Sequence, residues 1–317
     1  MNFEQLKNYP RLFIEVDLKP AQGTRFQPTG FPDLGAALYE DPDGRSMLLV
    51  ESAQSMANRM ENICWDEANE DLIPALDGLP YVVSQVEEDV TTNTILEAHR
   101  LNSPFIVKSR LFQDTIKPEI GFEANKPFDR RKLAKALLKY DPSSLIHGIF
   151  LEKVGGAVRL PRMLSGFIEA SNVNVAASGG VKFDRVQPAT GESTPYGKAN
   201  EGYGNVPYHR DEYTGNLTAY FSIDIALMKG LGMGEHAENL LIALSLLKIQ
   251  KVLANGMRLR TACDLLTLET RVNVGEFTLP TLSELEEALP SFIQSARPNF
   301  VSPAITNVEF DMKVKIK

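Results

Sequence analysis

The chain has 317 residues, 43% hydrophobic and 23% charged, a make-up that excludes disordered and collagen-like chains and leaves room for a real core. A net charge of −8 speaks against a simple basic nucleic-acid-binding domain, and two cysteines without a CxxC spacing speak against disulfide scaffolds and zinc ribbons. No apolar run approaches the roughly 20 residues of a membrane span, and Met1 to Gln5 lack a signal-peptide layout, so a soluble, cytoplasmic protein with no membrane partner is expected.

From Arg11, the residues Leu12, Ile14, Val16 and Leu18 alternate with Phe13, Glu15 and Asp17, which predicts a strand ending at Lys19-Pro20. Residues 21–34 hold Gly23, Pro28, Gly30 and Pro32 with no period and read as a loop. A short strand over 47–50 precedes Ser52, which can cap a helix with Met56, Ala57, Met60 and Ile63 on one face. A helix is expected over 92–101. Asp129 caps a basic amphipathic helix through Tyr140, and a strand over 145–151 carries His147. Residues 155–215 are glycine-rich and polar; they read as loops or irregular hairpins, too long for a connector and therefore an insertion with a role. The clearest strand spans 217–227, a long apolar helix runs over 235–253, another strand fits 266–274, and Ser283 begins a possible capping box. Alternation from Val308 to Ile316 predicts a last strand, so both termini are expected in one sheet. The order predicts an α+β fold, with a split βαβ core as the natural candidate.

Catalytic signatures are scarce. There is no GxSxG, HExxH or GxGxxG after a strand, the four histidines lack ligand spacing, and the P-loop-like stretch from Gly191 to Lys198 has one residue too many. No metal, cofactor or catalytic residue is therefore assigned. His209, in the string Tyr208-His209-Arg210-Asp211-Glu212, could serve as a base or stack on a nucleotide. Tyr196, Tyr203, Tyr208 and Tyr213 fall within eighteen residues among Lys198, His209 and Arg210, a pattern that suits single-stranded RNA or the packing of a large loop. The helix start at Ser52, with Gln54 and Ser55, offers donors to a phosphate or is an ordinary cap. Arg159 and Arg162 follow Gly155-Gly156, and Arg258 and Arg260 follow Gly256; such loops bring guanidinium groups close to a phosphate chain.

Charge is unevenly spread. Residues 33–97 carry fifteen acidic and two basic residues, and residues 126–162 nine basic and three acidic ones. These are either two solvated faces, or one side for a polyanion and another for a positive neighbour, such as a second copy.

Four strings carry a specific likeness. The stretch Gln22-Gly23-Thr24-Arg25-Phe26-Gln27-Pro28-Thr29-Gly30-Phe31-Pro32-Asp33 after the first strand is followed by Glu51-Ser52-Ala53-Gln54-Ser55 with Asn58-Arg59, by His99-Arg100-Leu101-Asn102 and by Gly256-Met257-Arg258-Leu259-Arg260. Together they resemble the backbone subunit of the type I-G (formerly I-U) CRISPR Cascade, a Cas-seven member of the RAMP superfamily. The resemblance implies a single RRM-like (ferredoxin-like) domain over 1–317, with thumb-like insertions within 66–125 and 155–215. It implies a non-catalytic subunit whose copies stack along a CRISPR RNA and present it to target DNA, beside a large subunit and a guide-end-capping, RNA-processing subunit. Carried over, the RNA would run over Lys19, Gln22, Arg25, Phe26 and Gln27 and over Ser52, Gln54, Ser55, Asn58 and Arg59. The residues alone add Arg159, Arg162, Tyr208, His209, Arg210, Arg258 and Arg260. The family also supplies an alternative: an endoribonuclease cutting target RNA with Asp33, as type III relatives do with a loop aspartate, or precursor RNA with His209.

Overall fold

The computed structural model describes residues 1–31, 35–121, 128–151, 158–185, 204–255, 257–261 and 263–316. In chain order the elements that matter are β1 (Arg11–Pro20), β2 (Leu38–Glu40), β3 (Ser46–Glu51), α1 (Ala53–Asn62), β4 (Tyr81–Glu87), β5 (Val90–Asn93), α2 (Arg130–Tyr140), α3 (Pro142–His147), β6 (Ile149–Leu151) and β7 (Val158–Leu160). They continue with β8 (Leu164–Lys182), β9 (Val206–Asp224), α4 (Glu235–Ala254), β10 (Arg258–Arg260), β11 (Cys263–Val272), α5 (Leu282–Ala296) and β12 (Ile305–Glu309). The fold is α+β.

Seven strands form one antiparallel sheet in the order β10-β11-β1-β9-β8-β3-β2. Helix α1 lies in the chain between β1 and β8, and α4 between β9 and β11; the two helices touch each other, and each packs on the sheet. Covering only one face explains the alternation of β1: Leu12, Ile14, Val16 and Leu18 are buried, whereas Phe13 and Glu15 face outward. Helix α4 is apolar nearly all round, because it is sandwiched between the sheet and α5. Gly166 in β8 lets Phe221 of β9 lie across it; a Cβ there would meet that ring at 2.5 Å.

Several expectations are corrected. Residues 92–101 form no regular helix: β5 ends at Asn93, and turns follow. The strand expected over 145–151 is split: Ile149–Leu151 is strand β6, but residues 145–147 end α3, which is started by Asp141, accepting from the Ser143 and Ser144 amides, and by Pro142 at its first position. His147 therefore ends a helix, and it is fully packed. The strand expected over 217–227 begins earlier, at Val206, and gives way at Ile225 to a short helix. The capping box is built by Thr281 rather than Ser283, with Glu284 returning the bond. Within the region expected as loops or irregular hairpins, residues 164–182 pair antiparallel with the strand that starts at Val206, as one long hairpin with a register shift between Ser171 and Asn174. The final strand stops at Glu309 and pairs in parallel with β4, in a separate three-stranded sheet of order β12-β4-β5. The termini thus belong to different sheets.

The insertion between α1 and β8 is fastened to the core by buried polar groups. Arg100 donates to both carboxylate oxygens of Glu61, at 2.5 and 2.7 Å, and to the Gly148 carbonyl at 3.3 Å. Lys248 of α4 reaches α3, with Nζ 3.0 Å from Ser143 Oγ and 3.1 Å from His147 Nε2. Burial, and then the Lys248 charge, push the His147 pKa well below its usual range, so the neutral ring accepts from the ammonium.

Asp141 is buried beside them, and burial raises its pKa to about 6 against the hydrogen bonds from Ser144. An acid whose folded pKa is raised binds its proton more tightly in the native state, so its contribution to stability falls as pH rises through the interval up to that value. Asp141→Asn removes this component. The stability of the variant relative to wild type should shift in the variant's favour between about pH 4 and pH 7. Urea unfolding at both pH values checks this; a difference that is constant with pH refutes it.

Candidate nucleic-acid interface

Where β1 ends, the chain turns through Gly23, whose φ of +67° suits glycine. It then pins itself to β9: the Phe26 and Tyr213 backbones exchange two hydrogen bonds of 2.9 Å. Phe26, expected on the RNA path, is 1% exposed and anchors this loop in the core. Gln27 is also buried; its Nε2 donates to Glu212 Oε1 at 3.1 Å and its carbonyl accepts from Arg260 at 3.1 Å. Around them Gln22, Gly23, Thr24, Arg25, Glu212 and Asp264 line a hollow of about 230 Å³.

Two carboxylates missed in the sequence organise the arginines. Glu51, 0% exposed, closes β3 just before the Ser52 cap. It binds Arg260 at 2.7 Å and Arg59 at 3.3 Å, and Arg59 also donates to the carbonyls of Arg258 and Leu259. Glu212, also buried, binds Arg25 at 3.2 Å and Arg210 at 3.1 Å. Burial opposes its ionisation, but Gln27, Arg210 and Arg25 prevail and hold its pKa below the usual carboxylate value. Gln27 joins the two groups. The result is one connected network, Arg59–Glu51–Arg260–Gln27–Glu212–Arg25 and Arg210, drawn from five chain segments.

The helix start joins the same surface. Ser52 accepts from the Ser55 amide at 3.2 Å and so acts as a cap. Arg162 donates to the Ala53 carbonyl at 2.9 Å and to Gln54 Oε1. Asn58, half-buried, keeps a side-chain oxygen without a partner. Tyr208, Arg210 and Glu212 occupy alternate positions of β9 and so share one strand face running outward along the hairpin, whereas His209 and Asp211, 3.7 Å apart, share the other. Lys19 lies exposed at the end of β1, opposite Leu266. Arg159 is not brought into the network: it lies over Phe150 on the β6–β7 hairpin, 4.3 Å from the ring centre. Asp33, Gly155, Gly156, Tyr196, Lys198, Tyr203 and Gly256 lie outside the described residues.

The most exposed arginines of the site are Arg25 and Arg258, 53% and 73% exposed and each beside one carboxylate, Glu212 at 3.2 Å and Asp264 at 3.9 Å, whereas Arg59 and Arg260 spend their donors internally. Among the described residues no cluster of His, Cys, Asp and Glu could hold a metal ion, and no helix is long and apolar enough to cross a membrane.

Residues 12–175, just over half of the chain, match the family described as CRISPR-associated protein GSU0053 (Cas_GSU0053). The chain belongs to this family of Cas-seven-type CRISPR backbone subunits. The matched span of the family holds β1, the anchored loop, Glu51 and α1, which is to say the first half of the arginine network. No curated protein matches the chain. Two solved structures are similar to it at 11% identity: a CRISPR RNA-guided surveillance complex, pre-nicking, over 83% of this chain and 77% of that one with a TM-score of 0.44, and Thermofilum pendens Csc2, over 93% and 83% with a TM-score of 0.29.

Glu51→Ala should lower stability by about 2–3 kcal/mol, less than for a fully buried pair because both arginines keep some access to water. Arg260→Ala should cost less, since Arg59 remains beside the carboxylate. Urea midpoints at unchanged slope measure both, and equal stability of Glu51→Ala and wild type would contradict the organising role of Glu51.

Proposed function

We propose that the chain is a non-catalytic CRISPR RNA-binding backbone subunit of a type I-G Cascade complex, whose copies coat the guide RNA and present it for pairing with target DNA. The observation that carries this reading is the network joining Glu51, Gln27 and Glu212, which gathers arginines along one surface in a member of a CRISPR backbone family. Guanidinium groups held by buried carboxylates are oriented in advance, which suits repeated contact with a phosphate chain.

The order β11-β1-β9-β8, with α1 and α4 as the two crossovers, supports an RRM-like core of split βαβ type. The outer parts of β8 and β9, residues 174–182 and 206–211, are largely exposed and would form the thumb; the insertion after α1 instead supplies two strands of the small sheet. Tyr208 and Arg210 on that hairpin would give a base a ring to stack on and a phosphate a cation. The assembly would act in the cytoplasm, beside a large subunit and a subunit that processes and caps the guide.

Arg25→Ala and Arg258→Ala should each weaken guide-RNA binding about tenfold and reduce the slope of log affinity against log salt by about 0.7, with the circular dichroism spectrum unchanged. Unchanged affinity in both would refute the site. Precursor and target-paired RNA should survive incubation with the protein; cleavage that is lost in Asp33→Ala or His209→Ala would replace the scaffold with an endoribonuclease.

A further inference from the structure

Two grooves of opposite charge lie at the two ends of the small sheet. The first, of about 600 Å³, is lined by Asp66, Asp71 and Asp77 beside Tyr81 and Ile305, with no lysine or arginine among the described lining residues. The second, of about 710 Å³, is lined by Arg110, Lys117, Lys132, Lys313 and Lys315, against Asp114 alone of the carboxylates among the described lining residues. Lys132 crosses Gly121 so closely that a Cβ at this left-handed position, φ +74°, would lie 2.6 Å from its side chain.

Topology fixes how the grooves face. Strands β4 and β12 run parallel, with Ile305 opposite Tyr81 at the start and Glu309 opposite Gln85 at the end. Tyr81 and Ile305 border the acidic groove. Past Glu309, Phe310 donates to the Gln85 carbonyl and Asp311 to the Lys108 carbonyl, both at 2.9 Å, and the chain enters the basic groove at Lys313. The strand pair is thus a spacer roughly 15–20 Å long, at about 3.3 Å per residue, with acid at one end and base at the other. Grooves of opposite charge at the two ends of one molecule suit head-to-tail pairing, in which each copy offers acid on one side and base on the other, and such contacts propagate.

We propose that the acidic groove of one copy receives the Lys313 and Lys315 segment of the next, so that successive copies join through these two grooves. This rests on the reading of the chain as a backbone subunit. A second copy, rather than nucleic acid, is favoured because one chain carries both members of the complementary pair in grooves of similar size, and a polyanion would account for one of them only. The charges expected to meet from sequence, at 33–97 and 126–162, are thereby narrowed to 66–77 on one side and extended to the C-terminal lysines on the other. Lys139 lies outside the basic groove, engaged by Glu119 at 2.8 Å. The contact should weaken with salt.

Charge exchange tests it. Lys313→Glu/Lys315→Glu makes the inserted segment acidic, and Asp66→Lys/Asp77→Lys makes the acidic groove basic. Native mass spectrometry of wild type on guide-length RNA should show several copies. Each double variant alone should need at least tenfold more protein to reach the same occupancy, while binding a short, one-copy RNA normally. An equimolar mixture of the two should recover occupancy by alternating along the RNA. Multiple-copy occupancy equal to wild type in both variants, or no recovery on mixing, overturns the proposal. Loss of duplex-DNA binding by Lys313→Glu/Lys315→Glu with assembly intact overturns it in favour of a nucleic-acid groove. Failure of wild type itself to bind RNA defeats the underlying reading instead.

Discussion

A glutamate without solvent access needs countercharges within hydrogen-bonding reach, and Glu51 has two. Desolvating a lone carboxylate would cost several kcal/mol, so the fold that buries Glu51 must also bring Arg59 and Arg260 to it. Arg59 is on α1, and Arg260 is on β10 at the far edge of the sheet from β3. The carboxylate therefore ties the start of the first crossover helix to the hairpin that follows the second. Through Arg260 and the Gln27 carbonyl it also fixes the loop after β1, and through the Gln27 amide it reaches Glu212 on the root of the projecting hairpin. Local backbone geometry alone would leave these segments independent. The ion pairs make them one surface.

The same arrangement reconciles an acidic protein with a cationic site. Each buried carboxylate is outnumbered by its arginines, so the network keeps a positive excess while its members lose rotamer freedom before any ligand arrives. The acidic residues that dominate the net charge sit largely in the insertion, at 66–97. Net charge bounds non-specific attraction over distances of about a Debye length. It says little about a surface on which each cation is held in place.

What was legible in the sequence follows from which faces are covered. β1 and the helices at Ser52 and Asp129 could be read because one face of each is buried and a cap marks each helix start. The outer parts of β8 and β9 could not, because they stand clear of the core and carry no apolar alternation to betray a strand. At 145–151 the apolar run was ambiguous, and the signal that settles it, Asp141-Pro142 as cap and first helical residue, lay just upstream. The alternation beyond Glu309 is genuine, but among the described residues no strand pairs with it to complete a ladder. In the site the cations were legible and the carboxylates were not, since a search for phosphate contacts counts positive charge. A glutamate closing the apolar run at 47–50 was the available sign that Glu51 is buried and paired. Phe26 shows the converse: an aromatic in an unusual loop read as a stacking surface is the loop's anchor.

The uncovered face of the sheet makes clear why the arginine network lies at its edge. That face carries Phe13 and the stacked pair Phe167 and Tyr220, centroids 5.1 Å apart, which by aromatic content alone would suit bases. Yet the same strands place Glu15, Asp17 and Glu169 among these rings, and the Arg271 that meets Asp17 through two bonds of 2.6 and 2.8 Å is consumed in doing so. The hydrogen bonds from Arg271 outweigh burial and hold Asp17 below the usual carboxylate range, so it is ionised at neutral pH. Tyr39 is likewise turned to Glu169, at 2.7 Å. A phosphate chain laid across this surface would meet like charge at Glu15, Asp17 and Glu169, whereas at the edge it would meet exposed guanidinium ends with their carboxylates tucked beneath. Aromatic content favours the open face; on the reading proposed above, the placement of the charges would move a polyanion off it and onto the loop after β1 and strand β10.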